Sequence, residues 1–570
     1  MAMPKQLVLT IVVCVGACLL MPGPGIASEP DTGSESPPFV AWQLPDKPTE
    51  KWFIGPGQVT PSLDDLSPQP GQEVKSLHLD LARNEKESAC FLVSGLQDAE
   101  VTVAITGPDI FAKTVLFTRS RQVNMLIPLK GPLKLKKGKT EELWMRFSSH
   151  KVEPDVYKGA IEFKHSQSGK SLGSLPVMLK VWKVVMPPRN IVHCTGYSSG
   201  IGFINGLSGN PDKDEAYKKR LHAYLANMAE TRLDSLAISI NKFSIYDPVK
   251  INGKPLQAVL RSDPSLLKGD TLPQVDFSYY DTFFAIAMKY GFKSISFMGP
   301  QSLFIGPLAC LGKEVTVDTP EGRRCAVWLA GEWRKYLQKQ GFKAIWAKEN
   351  DEIKPDEIPS YNKICDIFKE GGWRTYTTWT GTIPKRPDLI RKVNKNAEQW
   401  QMQFLSLDIF RNLVAKQPAL IDRTDEVWFY GGGNGVYRFS YLYVRLYGWL
   451  AGYYDTDGFA WYVYCDWHKN ETIAVLKDGV VYSTPALEGL RDAIEDAQLY
   501  AMLNRKLLPR ADKRQWAPGK YSHGLVAKGG GVLLPLEKLT YGAYVFYGFR
   551  SPTPDTVRQA KAKLLRTLEK

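Results

Sequence analysis

Phe342-Lys343-Ala344-Ile345-Trp346-Ala347-Lys348-Glu349-Asn350-Asp351-Glu352 is the stretch that decides the fold of this 570-residue chain. The apolar run Phe342 to Ala347 reads as a buried strand, and the carboxylates Asp351 and Glu352 come just past its end. Strand and helix patterns alternate on both sides of it, the signature of βα units around a parallel sheet. Acids at the end of such a strand stand at the C-terminal mouth of a (β/α)8 TIM-type barrel, the face where that fold keeps its chemistry.

Working outward, strands are expected over 191–197, 235–240, 292–299, 342–348, 374–380, 403–409, 426–431 and 458–467. Eight is the number a closed barrel needs. The clearest helix spans 212–232, where Tyr217, Leu221, Tyr224, Leu225 and Met228 recur at helical spacing after an acidic first turn. Residues 241–276 form a long insertion after the second strand, on the face that shapes a substrate site. The barrel is expected over 190–507, closing with a helix over 485–504.

Residues 39–186 have a different texture. Short period-two runs such as Val101-Thr102-Val103-Ala104-Ile105-Thr106, separated by turn signals, predict an antiparallel β-sandwich. Pro187-Pro188 then marks the boundary to the barrel. Residues 508–570 read as a small β/helical extension ending in an amphipathic helix from about Pro554. At the other end, Lys5, the apolar run Leu7 to Met21 and the small residues Gly25 and Ala27 predict a cleaved export signal over 1–27. Val15-Gly16-Ala17-Cys18 offers the alternative of a lipid anchor at Cys18, but the apolar run continues through Leu19-Leu20-Met21. No later stretch is long and apolar enough for a membrane span. The expected location is the periplasm, the cell surface or the exterior.

Composition narrows the function classes. With 44% hydrophobic and 23% charged residues the chain is an ordinary globular protein. Its net charge of +14 comes from dispersed Lys and Arg, without a nucleic-acid-binding motif. Fifteen Trp and 26 Tyr supply flat faces that suit sugar rings as well as large cores. Cys90, Cys194, Cys310, Cys325, Cys365 and Cys465 lack a C-x-x-C pattern and form no zinc framework. Cys310 and Cys325 can close a loop, with buried free thiols as the alternative. Gly431-Gly432-Gly433-Asn434-Gly435 lacks the Lys-Ser/Thr of a phosphate loop, and His193 and His468 have no paired ligands. Neither metal nor cofactor is expected.

Two readings compete for the acid pair. As residues ahead of Pro355, Asp351 and Glu352 can cap a helix, with Asp356 and Glu357 continuing the charge bias. As chemistry, neighbouring carboxylates address one ligand only where a strand ends and its backbone turns, because adjacent strand residues otherwise point to opposite faces.

Further motifs bear on that choice. The Phe342 to Ala347 run followed by Asp351-Glu352 resembles the strand ending in Asp-Glu-Pro of glycoside hydrolase family 123, the β-N-acetylgalactosaminidases. Glu426-Val427-Trp428-Phe429-Tyr430 is similar to that family's seventh strand. Arg445-Leu446-Tyr447-Gly448-Trp449-Leu450-Ala451, leading to Asp457-Gly458-Phe459-Ala460-Trp461, is similar to its Arg-x-x-x-Trp helix and eighth strand. Leu490-Arg491-Asp492-Ala493-Ile494-Glu495-Asp496 resembles its Arg-x-Gly-x-Glu-Asp helix. Ala82-Arg83-Asn84-Glu85-Lys86-Glu87-Ser88 and Val152-Glu153-Pro154-Asp155-Val156-Tyr157-Lys158-Gly159 are similar to its β-sandwich. The resemblance spans roughly residues 75–505.

It implies a retaining hydrolase of β-linked N-acetylhexosamine, chiefly N-acetylgalactosamine, in which the substrate's 2-acetamido group is the nucleophile. Asp351 would orient that group and Glu352 would be the general acid/base. Tyr376, Trp379, Trp428, Tyr430, Trp461, Tyr464 and Trp467 would form the sugar platform, each with core packing as the alternative. Asp408, at the end of the sixth strand, and Asp466 would bind sugar hydroxyls, with pairing to a nearby Arg as the equal alternative, while Arg445 and Glu495-Asp496 would be structural supports. Glu349 and Asn350 lie near enough to compete for a role. The chain departs from the family where Ile353 replaces the proline, Ala493 the helix glycine, and Ala497-Gln498 a Tyr-Glu pair. Those departures keep open an inactive carbohydrate-binding surface protein, and the basic balance keeps open a sulfated or acidic glycan substrate.

Overall fold

Alternation in the N-terminal region builds two five-stranded sheets. The strands are β1 (Phe39–Trp42), β2 (Leu77–Arg83), β3 (Lys86–Gly95), β4 (Ala99–Thr106), β5 (Val115–Arg119), β6 (Leu126–Pro128), β7 (Leu133–Leu135), β8 (Thr140–Ser148), β9 (Asp155–His165) and β10 (Ser171–Val185). One sheet runs β1-β3-β8-β5-β6 and the other β2-β10-β9-β4-β7. A single apolar cluster takes Phe91, Val93, Leu143, Met145 and Phe147 from the first and Leu79, Leu81, Ile161, Phe163 and Leu179 from the second. Pairing is antiparallel except between β2 and β10, which run parallel. The expectation of purely antiparallel pairing is corrected there, because the chain runs through both sheets before β10 returns beside β2.

The computed structural model describes residues 39–42, 73–120, 125–198, 212, 214–239, 248–267, 272–379, 386–422, 424–432, 441–465, 473–507 and 554–570. The expected export signal over 1–27, the anchor alternative at Cys18, Asp466, Trp467, His468 and residues 508–553 lie outside them.

From His193 onward eight parallel strands close into a barrel. They are β11 (His193–Ser198), β12 (Ser235–Ser239), β13 (Ser294–Met298), β14 (Ala344–Lys348), β15 (Arg374–Trp379), β16 (Gln399–Gln403), β17 (Glu426–Gly432) and β18 (Gly458–Cys465). One strand falls elsewhere than expected. The apolar residues from Phe404 belong to a helix, Phe404–Lys416, and the strand before it is the polar run Gln399-Trp400-Gln401-Met402-Gln403. Its glutamines face a polar barrel interior, where Gln399 Nε2 donates to Gln401 Oε1 at 3.0 Å, so the strand carries no apolar inward face to betray it. Asp408 therefore sits on a helix and not at a strand end.

The helices that matter for the site are α1 (Glu215–Glu230), α2 (Pro320–Gln340), α3 (Ile358–Glu370), α4 (Phe404–Lys416), α5 (Tyr441–Tyr454), α6 (Pro485–Leu507) and α7 (Pro554–Glu569). Helix α1 starts where the Asp214 carboxylate accepts from the Tyr217 N–H, and it buries Tyr217, Leu221, Tyr224, Leu225 and Met228 as the spacing predicts. Alternate strand residues, among them Ile238, Phe297, Ile345, Met402 and Phe429, point out of the barrel into one core with α1, α2, α3 and α5.

The segments that carry the family motifs meet at a buried polar joint. Arg445 of α5 bridges Glu87 of β3 at 2.5 Å and Asp496 of α6 at 2.7 Å. Lys561 of α7 reaches Glu85 at 2.6 Å and also bridges Glu87. Arg491 pairs with Asp492 and Glu488, and Arg146 of β8 with Glu488. Helices α5 and α6 approach closely because Gly448 has no side chain: a Cβ there would lie 1.9 Å from the Ala493 carbonyl oxygen. Among the described residues no helix is long and apolar enough to cross a membrane, and Cys90, Cys194, Cys310, Cys325 and Cys365 are free thiols.

Candidate active site

Strand β14 ends at Lys348, and the chain then turns tightly at the barrel mouth. Asn350 and Glu352 both take left-handed backbone angles, φ 57° and 53°. Asn tolerates that region, whereas Glu adopts it only under constraint. Strand β15 supplies the constraint. Glu349 N–H donates to the Tyr376 carbonyl at 3.1 Å and Ile353 N–H to the Thr378 carbonyl at 3.3 Å. Between them, Glu352 N–H donates to the Thr378 hydroxyl at 2.9 Å and Thr377 Oγ1 donates to the Asn350 carbonyl at 3.2 Å. Ile353, in the place of the family proline, is 2% exposed and anchors the far end of the turn in the core.

This turn puts both carboxylates on the surface of the mouth. Asp351 Oδ1 accepts from Lys348 Nζ at 2.7 Å and from Thr378 Oγ1 at 2.6 Å. Partial burial at the barrel wall raises the pKa of Asp351, but the Lys348 ammonium and these two hydrogen bonds outweigh it, so the carboxyl is held below its ordinary range. Glu352 Oε1 accepts from Tyr430 Oη at 2.7 Å. The helix-capping alternative does not fit this arrangement. The next turn begins at Pro355, where Glu357 accepts from the Lys354 N–H at 2.8 Å, and neither Asp351 nor Glu352 takes part.

Glu349 has the opposite surroundings. It is 1% exposed, Oε2 has no partner among the described residues, and burial pushes its pKa up to about 8. It lies beside Tyr361 and Cys365 of α3 and accepts a hydrogen bond from the Gln301 backbone N–H in the loop after β13.

The aromatic residues divide by strand phase. Among those described, Tyr430 is the one hydrogen-bonded to the acid pair. Tyr376 points into the barrel but is 2% exposed, with its hydroxyl 2.7 Å from Ser296 Oγ, and it fills the interior below the mouth. Trp428 also points inward, near the floor, where its Nε1–H donates to Glu426 at 2.9 Å and its ring stacks on His193. Gly458 is glycine because a Cβ would lie 2.6 Å from that indole. Trp379, Trp461 and Tyr464 face the helix side instead. Trp379 stacks on Trp400 at 5.4 Å, Trp461 packs edge-on against Tyr447 at 5.0 Å, and Tyr464 bonds Asn227 of α1. All three are at most 1% exposed. Their expected role as a sugar platform is corrected to core packing: Trp379 and Trp461 stand on the helix-side phase of their strands, and Tyr464, three residues past Trp461, reaches the same side through the register shift in β18.

Sequence reasoning missed Lys348, Thr378 and Tyr197. The Tyr197 ring lies 4.8 Å from Lys348 Nζ, and its hydroxyl accepts from Gln401 Nε2 at 2.6 Å. The available signal was parity: Lys348 shares the inward phase of Trp346, and Thr378 that of Tyr376. Among the described residues no three His, Cys, Asp or Glu side chains gather as metal ligands.

No family model and no curated protein matches the chain. Among solved structures it is similar to a family 123 glycoside hydrolase from Clostridium perfringens, described for glycolipid glycan hydrolysis. That match has a TM-score of 0.56 and 12% identity, over 88% of this chain and 94% of that one. A family 5 xyloglucanase from Bacteroides ovatus aligns over 74% of this chain and 98% of its own, at 9% identity and a TM-score of 0.29. A family 138 enzyme targeting pectin aligns over 65% and 46%, at 13% identity and a TM-score of 0.33. Two five-stranded sheets followed by an eight-stranded parallel barrel, aligned over nearly the whole of both chains, give this protein the fold of the family 123 glycoside hydrolase.

Proposed function

We propose that the protein is an exported glycoside hydrolase with a β-sandwich over 39–186 and a catalytic (β/α)8 barrel over 190–507. It removes β-linked N-acetylhexosamine, N-acetylgalactosamine foremost, with retention of configuration. The observation that carries this reading is the pair on one turn of the mouth: Asp351 held anionic by Lys348 and Thr378, and Glu352 beside it bonded to Tyr430.

The chemistry divides between them. The substrate's acetamido oxygen attacks the anomeric carbon while Glu352 gives its proton to the leaving oxygen. Asp351 accepts the amide N–H and offsets the positive charge that grows on the ring so formed. Glu352, now a carboxylate, takes a proton from the water that reopens the ring. No protein nucleophile is required, and Tyr430 is the aromatic placed to border the sugar. The glycan of a glycolipid, the substrate class named for the family 123 structure, is the first natural substrate to try.

The experiment is release of a chromogenic β-N-acetylgalactosaminide by the wild type and by Glu352→Gln and Asp351→Asn. Both variants are expected to keep the fold and lose turnover. Undiminished release by Glu352→Gln would overturn the assignment, and glycan binding by a wild type with no turnover on any acetamido sugar would mark a binding protein instead.

A further inference from the structure

Lys348 is a buried cation beside the acids Asp351 and Glu352 at the barrel mouth. It ends β14 in register with Met298 of β13 and Tyr376 of β15, and its side chain turns into the barrel. Lys348 is 6% exposed, whereas the side chain of its partner Asp351 is 74% exposed. A buried ammonium is strongly unfavourable without a counter-charge, so the pair is anchored from the lysine side. Tyr197 holds Lys348 from below through its ring face and is itself fixed by Gln401. Among the described residues Asp351 is the one carboxylate paired with it.

The hydrogen bonds at Asp351 are one-sided. Lys348 Nζ and Thr378 Oγ1 both donate to Oδ1, and Thr378 Oγ1 also accepts from the Glu352 N–H. Oδ1 is therefore occupied, and Oδ2 has no bond within the described residues. One hydroxyl ties the backbone of Glu352 to the carboxylate of Asp351, so the two acids are set by a common device.

We propose that Lys348 is the positioning residue of this site, fixing Asp351 through Oδ1 so that Oδ2 is the oxygen presented to the substrate's amide N–H. This rests on the reading of Asp351 given above. Lys348 does not touch the sugar: at 6% exposure it acts through Asp351. Among the described residues, the titratable groups facing Asp351 are Lys348 at the end of β14, Glu352 beside it, Tyr197 on β11, Tyr376 on β15 and Tyr430 on β17. Lys348 is the cation among them, and its removal raises the pKa of Asp351. Asp351 then protonates at a higher pH, and the acid limb of the rate profile moves up.

The test compares wild type, Lys348→Met and Lys348→Arg on a chromogenic β-N-acetylgalactosaminide across pH, with circular dichroism as the check on folding. For Lys348→Met, kcat/KM is expected to fall about 100-fold, chiefly in kcat. Its acid limb should rise by about one pH unit, and Lys348→Arg should recover most of both losses. A folded Lys348→Met with the wild-type kcat/KM and acid limb overturns the proposal. A wild type that neither cleaves the substrate nor binds an acetamido-thiazoline inhibitor in calorimetry overturns the functional reading instead. The positioning claim is then decided by a crystal structure of Lys348→Met: Asp351 displaced from Thr378 supports it, and Asp351 unmoved defeats it.

Discussion

Tyr430 Oη donates to Glu352 Oε1 at 2.7 Å, joining the seventh barrel strand to the turn that ends the fourth. Burial and the neighbouring carboxylate raise the Tyr430 pKa well above the ordinary phenol range, so its hydroxyl remains a donor throughout the assay range. Removing that donor with Tyr430→Phe is expected to cost about 1.5–3 kcal/mol of transition-state stabilisation, the scale of a hydrogen bond to a charged group. Steady-state kinetics would show it as a lower kcat/KM with an unchanged unfolding midpoint.

Trp379 behaves oppositely. With its indole stacked on Trp400 and edge-on to Tyr361 in the helix-side core, Trp379→Ala is expected to destabilise by about 3–5 kcal/mol and leave KM unchanged. Chemical denaturation beside steady-state kinetics separates the two readouts. A raised KM with unaltered stability would return Trp379 to the sugar platform.

Lys561 is the cation that α7 inserts against Glu85 and Glu87. Once both are ionised, above about pH 8, Lys561→Met takes a counter-charge from each, and the expected loss there is about 3–5 kcal/mol. Denaturant midpoints of the two proteins measure it.

Acidity reads the same joint. Burial, reinforced by neighbouring carboxylates, raises Glu85 to about 8 and Glu495 to about 7 from a starting value of 4.5. Between the unfolded value and these folded values the native state binds more protons than the unfolded chain, so stability falls as pH rises through that window. Glu488, held far below the ordinary range against the burial penalty by Arg491 and Arg146, acts only at lower pH. The melting temperature is expected to decline between about pH 5 and about pH 8, and Glu85→Gln to flatten the decline. A melting temperature that rises across the window would contradict the assignment.

Gly448 sets the spacing of α5 and α6. Its missing side chain leaves room for the Ala493 carbonyl, and Gly448→Val is expected to force the helices apart at a cost of about 1–3 kcal/mol or more. Thermal unfolding checks this, with Gly479→Ala, which meets nothing closer than 3.9 Å but keeps a positive φ, as a comparison of backbone strain without crowding.

Much of the barrel was legible because its strands carry apolar residues on the helix side. The Phe342 run and the Tyr217 to Met228 helix both stand near their expected places. At Gln399 to Gln403 the helix-side signal is only Trp400 and Met402 between inward glutamines, and the longer apolar run that follows belongs to α4. Arg445 and Glu495-Asp496, expected as supports, sit in the joint that ties β3 to α5 and α6. Their helical spacing showed they were off the strand ends. It could not show that Glu85, Glu87 and Lys561 complete the charge balance, since these lie on other elements far along the chain.

By itself the sequence determined that βα units alternate after Pro188 and that two acids follow the fourth strand, because periodicity and residue order are local properties. Tertiary structure alone decided which phase of each strand faces the barrel, and so why Tyr430 reaches Glu352 while Trp379, Trp461 and Tyr464 are buried behind the wall. It also decided that Lys348 and Thr378 meet on one oxygen of Asp351. Those outcomes depend on cross-strand register and on where a buried charge finds its partner, and neither is written in the spacing of a single strand.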